Sequence, residues 1–319
     1  MPAGDGRTDV FTLPSLRTSG RVAWHLDALP YAVAAAAALV ATAAAMVFAV
    51  RLGDSAATDS SDVANLLQAT GILGYLIGIL PFLIGSILGA PLVARELERR
   101  TAGLAWSLSA DRRRWLVWRT MPAAAFMVIV LVVLALAGDV LTTARFPGQD
   151  PQHSFNDFGE RGPLVVSRGV AAFAVALAAG VRLRRTLPAV LLAVAFSFGL
   201  AFASDVTRTY GIAPVELQDE SECAEFSCLN YGTSFRDQNG TIVTFQDALK
   251  SAGAAGVTGG PTSDAVREWL DQNGYVEITV AITGQRYPEV EERELAATSI
   301  LSAAVVLGSV VAVQRARAT

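Results

Sequence analysis

The chain has 319 residues, 52% of them hydrophobic and 17% charged, with a mean hydropathy of +0.43 and a net charge of −4. That composition excludes an ordinary soluble domain, whose apolar residues are dispersed at helical or strand periods, and the acidic balance argues against a nucleic-acid partner. Here the apolar residues form uninterrupted blocks long enough to cross a hydrocarbon layer of about 30 Å. The expected fold class is therefore an all-α polytopic membrane protein, with six transmembrane helices and a small α+β extracellular insert between helices five and six.

Residues 1–29 read as a cytoplasmic N-terminal segment, and FTLPSLRTSGRVAWHLDA at 11–28 has the pattern of an amphipathic elbow lying on the inner membrane surface. Residues 30–204 hold the first five spans. The first, 31–50, carries no charge, and the polar stretch before it is long for the n-region of a cleaved signal, so it reads as an anchor. The second is expected over 71–94, interrupted by Pro81 and Pro91. It holds two GxxxG pairs, Gly74 with Gly78 and Gly85 with Gly89, each able to let another helix approach closely. Spans three, four and five are expected over 121–138, 164–181 and 187–204. Trp115 and Trp118 stand at headgroup level before the third, and the basic turn RLRRT joins the last two. Residues 51–66 and 139–163 read as loops.

Residues 205–294 make an insert large enough to fold by itself, expected on the extracellular side. Ser263 is placed to cap a helix AVREWLDQ with Val266, Trp269 and Leu270 on one face, and Asn273-Gly274 to end it. YVEITVAI follows as a half-buried strand, with Val276, Ile278, Val280 and Ile282 on the inner face. SAGAAGVTGGPT before these reads as a flexible loop. Cys223 and Cys228 are the only cysteines, at a spacing that fits neither a zinc knuckle nor a redox CxxC, and are expected to form a local disulfide outside the cytoplasm. Residues 295–319 give span six, 295–313, and a cytoplasmic tail.

Arginine placement orients the chain. With both termini inside, the inner segments hold 15 of the 25 basic residues and 6 of the 29 acidic ones, so every loop obeys the positive-inside rule. The expected location is the plasma membrane, crossed six times.

No phosphate loop GxxxxGK[ST] occurs, nor HExxH, GxSxG or an EF-hand, and His25 and His153 fall on opposite sides of the membrane. No catalytic, cofactor or metal residue is expected, and the chain is not an enzyme in its own right. Five of the six spans contain no ionisable residue, unlike those of an ion-coupled carrier. The exception is Arg168, about one turn from the outer end of span four. There it can snorkel to water, and it is the candidate substrate contact at the outer vestibule. Glu289, Glu291, Glu292 and Glu294 read as a solvated approach to span six.

The longest inner connector, APLVARELERRTAGLAWSLSADRRRWLVWR, mixes a helix end with an apolar element. Glu96 precedes Arg100 in the favourable ion-pair order, and Leu104, Trp106 and Leu108 form an apolar stretch outside lipid, before Asp111 can cap a new helix. The run GAPLVARELERRTAGLAWSLSADRRRWL resembles the span-two to span-three connector of ABC transporter permeases of the type-2 exporter class, especially actinobacterial ones. The resemblance implies a permease subunit of an exporter for an amphipathic drug, lipid or peptide, working by alternating access. It implies a separate ATP-binding subunit carrying ATP and magnesium, a second permease chain in a homodimer or heterodimer, and contact with membrane lipids. It places a coupling helix here, with Arg95, Glu96, Glu98, Arg99, Arg100, Thr101 and Trp106 at the ATPase contact. The alternative is a non-transporting membrane receptor or scaffold whose extracellular insert binds a ligand or partner.

Overall fold

Lipid offers backbone groups no hydrogen-bond partner, so each apolar block must close its own bonds as a helix. The computed structural model describes residues 16–54, 60–99, 101, 112–207, 212, 215–217, 227–257 and 263–315. It begins with five long helices: α1 (Leu16–Asp54), α2 (Ser60–Glu98), α3 (Arg112–Arg145), α4 (Gly162–Leu183) and α5 (Thr186–Thr207). The insert follows as β1 (Val215–Leu217), β2 (Leu229–Arg236), β3 (Ile242–Thr244), α6 (Phe245–Ala254), α7 (Asp264–Gln272) and β4 (Val276–Ile282), and α8 (Tyr287–Arg315) returns through the bundle. Among the described residues six helices are long and apolar enough to cross a membrane.

All six expected spans are present, but the helices overrun them. α2 begins at Ser60 rather than 71, α3 runs from Arg112 to Arg145 rather than from 121 to 138, and α8 begins at Tyr287 rather than 295. Residues 139–145 are thus helical, not loop. α2 has 39 residues, about 58 Å of helix. Its ends must stand clear of the hydrocarbon, and their water-facing residues break the apolar pattern that marked the span. Pro30, Pro81, Pro91 and Pro122 all lie inside continuous helices, and residues 16–30 continue directly into the first span.

α2 and α4 form the centre of the bundle and bury most of their apolar stretches, whereas α1, α5 and α8 leave most of theirs exposed. Small residues permit this pairing. A Cβ added at Gly89 would lie 2.6 Å from the Phe173 carbonyl, one at Gly85 2.8 Å from the Phe173 nitrogen, and one at Gly180 2.6 Å from the Ala90 carbonyl. The Gly85/Gly89 pair therefore seats one helix backbone directly on another. Ala90, Ala94, Ala176, Ala179, Ala189 and Ala193 extend the same small-residue contact to α5, where buried Ser86 and Ser197 hydroxyls meet at 3.0 Å. On the other flank Tyr31, Ile84, Leu88, Leu92, Met127, Leu131 and Leu177 fill the space between α1, α2, α3 and α4. Gly74 and Gly78 serve differently: the neighbour in their notch is the Glu160 side chain, not a helix.

The insert is a four-stranded antiparallel sheet in the order β1-β4-β2-β3, with a bulge between Asn230 and Gly232. Phe235, Ala248, Ala252, Val266 and Leu270 close a core between the sheet and α6 and α7. α7 forms where expected and Gly274 leaves it at φ +65°, but Ser263 makes no side-chain cap bond. β4 also forms, though its alternation is incomplete. Val276 is exposed while Ala281 is buried, because β4 is a central strand whose far end sinks against the bundle. There Ile282, Tyr287 and Val290 pack on Phe155 and Phe158 of the α3–α4 connection, and the Ser154 and Ser227 hydroxyls meet at 2.7 Å.

Replacing Gly89 by Val should force α2 and α4 apart and cost about 1–3 kcal/mol or more. The checks are thermal stability of the purified chain and its yield in membranes. Gly199→Ala, where an added Cβ meets nothing within 4 Å, should leave both unchanged or slightly improved.

Candidate functional site

Polar groups gather at the two ends of the bundle. At the connector end, the α4–α5 turn is as short as expected: Arg184 takes a left-handed conformation, φ +55°, and its N–H caps the Gly180 carbonyl. The last turn of α2 is clasped to both neighbours. Glu96 accepts a hydrogen bond from Arg119 Nε of α3 at 2.8 Å. Glu98 accepts from the Thr186 N–H and hydroxyl at 2.9 and 2.7 Å, placing its carboxylate at the positive N-terminal end of α5. The Arg99 N–H continues the helix to the Arg95 carbonyl at 3.0 Å, and the Thr101 hydroxyl reaches back to the Glu96 carbonyl at 3.3 Å. Arg95, Glu96, Glu98, Arg99 and Thr101 are therefore brought together, with both carboxylates turned to neighbouring helices, Glu96 half-buried and Glu98 at the exposed rim. Arg100 and Trp106 lie outside the described residues, as do the expected apolar element at Leu104 and Leu108 and the expected cap at Asp111.

At the insert end, Arg168 is held inside the bundle rather than extended to water. Its Nε donates to Glu294 Oε1 at 2.6 Å and its Nη1 to the Gly159 carbonyl at 3.0 Å. The two side chains are 12% and 4% exposed, so this is a buried ion pair joining α4 to α8. Glu294 thereby departs from the solvated acidic run expected of it. Nothing local marked it, because its partner stands 126 positions earlier; the one usable signal was a carboxylate abutting the apolar run of span six.

Beside this pair, Arg145 Nη1 binds Asp157 Oδ1, and the Thr142 hydroxyl donates to Asp157 Oδ2 at 2.9 Å. Glu160 reaches from the α3–α4 connection into the Gly74/Gly78 notch, where its Oε2 makes no hydrogen bond among the described residues. Burial, with the Asp157 charge adding to it, pushes the Glu160 carboxyl up to about 7 against the pull of Arg145 and Arg168. Cys228 is disulfide-bonded; Cys223 lies outside the described residues. No group of three or more His, Cys, Asp or Glu suited to a metal occurs among the described residues.

Residues 28–208 match the family model described as ABC-2 membrane transporter related. No curated protein and no solved structure matches the chain.

Arg168→Ala should strand a buried carboxylate and cost about 3–5 kcal/mol. The double variant Arg168→Leu/Glu294→Leu should recover most of the loss, as read from thermal unfolding of each variant. Glu160 gives a pH signature. Its folded pKa lies above the ordinary 4.5, so the folded chain holds the proton more tightly, and stability should fall as pH rises from about 4.5 to about 7. The loss should reach at most about 3 kcal/mol, and Glu160→Gln should flatten that slope in a melting-temperature series from pH 4.5 to 8.

Proposed function

The chain belongs to the ABC-2 membrane transporter related family, and from that membership we propose that it is the permease subunit of an ATP-binding cassette exporter. It moves an amphipathic drug, lipid or peptide by alternating access, powered by a separate ATPase subunit that holds the ATP and magnesium. The observation that carries this reading is the clasp at the end of α2. Glu96 grips α3 and Glu98 grips the start of α5, so a force applied to the connector is delivered to three membrane helices at once. Arg95, Arg99, Arg100, Thr101 and Trp106 supply the contact face, and the two glutamates transmit rather than dock.

This reading puts the connector and both termini in the cytoplasm and the insert outside, in accord with the arginine distribution. Cys223 and Cys228, as one disulfide, then lie on the oxidising side. The apolar faces of α1 and α5, with Leu39, Leu191 and Phe202 exposed, meet lipid or a second permease chain. The clasp favours a transporter over a receptor, which has no need to bind one connector rigidly to three spans.

Co-expression with candidate ATP-binding subunits tests the proposal. The native chain should retain such a subunit through purification, and Arg99→Glu with Trp106→Ala should weaken the complex by about tenfold or more. Glu98→Ala should keep the complex but lower its cargo-stimulated ATP hydrolysis. Failure of the native chain to retain any P-loop ATPase would contradict the permease reading.

A further inference from the structure

A cavity of about 630 Å³ lies between α3, α4 and α8, within the range of about 300–1,000 Å³ typical of small-molecule sites. Among the described residues its walls are apolar apart from three serines and Asp139, the one ionisable side chain there. Two of those serines have committed their protons, Ser167 to the Leu164 carbonyl and Ser302 to the Thr298 carbonyl, so they present acceptor oxygens to the space. Asp139 stands at the insert end, and Val132 lies two turns of α3 deeper, about 10 Å along the helix. Val132 and Leu136 are exposed, so the cavity opens sideways toward the bilayer as well.

The charge at this mouth is unbalanced. Asp139 of α3 and Glu291 of α8 both feel the charge of Arg161, whose guanidinium is already engaged by the Pro151 and Ser154 carbonyls and lies over the Tyr287 ring. Among the described residues two carboxylates share one cation, and the Gly162 N–H at the start of α4 supplies Asp139 with a dipole but no full charge. The smaller cavity of about 280 Å³ between α5 and α8 differs in this respect, because Arg168 already neutralises its Glu294.

We propose that the cavity between α3, α4 and α8 binds a small amphipathic organic cation, its charged head against Asp139 and its apolar body along Val132, Leu136, Val166 and Val170. An ammonium or iminium head replaces the missing positive charge and donates to Asp139 and the serine oxygens. The apolar part reaches the site from the bilayer, where such molecules concentrate. A neutral or anionic amphiphile of the same size gains the apolar contact but meets the surplus negative charge. Taken as a cargo site, this deepens the exporter reading and rests on it; as a binding site it stands without any ATPase.

The test is equilibrium binding of rhodamine 6G, followed by fluorescence polarisation, to the full chain in phosphatidylcholine nanodiscs without an ATPase, with empty nanodiscs subtracted. The native chain should bind saturably. Asp139→Asn should weaken binding by about tenfold or more, the scale of a lost charge-assisted hydrogen bond. Leu136→Trp, which adds bulk at an exposed position and preserves the charge, should block binding by filling the cavity. Glu289→Gln, an alteration on the solvent side of α8, should bind as the native chain does. Binding no stronger than to empty nanodiscs overturns the site, as does native affinity in both Asp139→Asn and Leu136→Trp. Because no nucleotide or partner is present, loss of dye binding in a chain that still retains an ATPase overturns the site alone. Asp139-dependent binding by a chain that retains none supports the site and refutes the exporter reading.

Discussion

The backbone contact between α2 and α4 is the constraint from which the rest of the bundle follows. Between helices already in lipid there is little hydrophobic force, because the acyl chains are as apolar as the side chains they would replace. Association must come from close packing and from a few polar links. Gly85, Gly89 and Gly180 remove the side chains that would hold the two helices apart, and the alanines beside them bring α5 onto the same pair. α1, α3 and α8 then cover the remaining flanks of this spine.

Both ends of the spine are fixed by charge. At the connector end two carboxylates of α2 hold α3 and α5. At the insert end Arg168 of α4 holds Glu294 of α8, and Glu160 fills the notch that Gly74 and Gly78 leave in α2. The insert does not hang freely from the bundle, since Phe155, Phe158, Tyr287 and Ile282 share one apolar cluster. A displacement at the connector therefore has a continuous packed route to the insert, through helices that touch backbone to backbone.

The spans were legible because an uninterrupted apolar run has few other fates in a chain of this composition. Their ends were not, because α2, α3 and α8 extend into water, where the periodic signal changes from lipid-facing to half-solvated. Gly85 and Gly89 admit a helix, but the identical spacing at Gly74 and Gly78 receives a loop glutamate, and spacing alone does not name the neighbour. α7 and β4 announced themselves by periodicity and turn residues. β2 did not, with a glycine bulge and polar positions breaking its alternation. The Arg168–Glu294 pair was hidden because each residue is ordinary in its own neighbourhood, and only the fold brings them within 2.6 Å.

A permease driven by a separate ATPase needs its α2–α3 connector and its insert on opposite faces of the membrane, with the connector where ATP is available. Single cysteines placed at Arg99 and at Lys250, both exposed, and probed in intact cells with a membrane-impermeant maleimide test this directly, the parent chain serving as background. Residue 250 should label at once and residue 99 only after the membrane is opened. Labelling of residue 99 in intact cells, with residue 250 protected, would contradict the account.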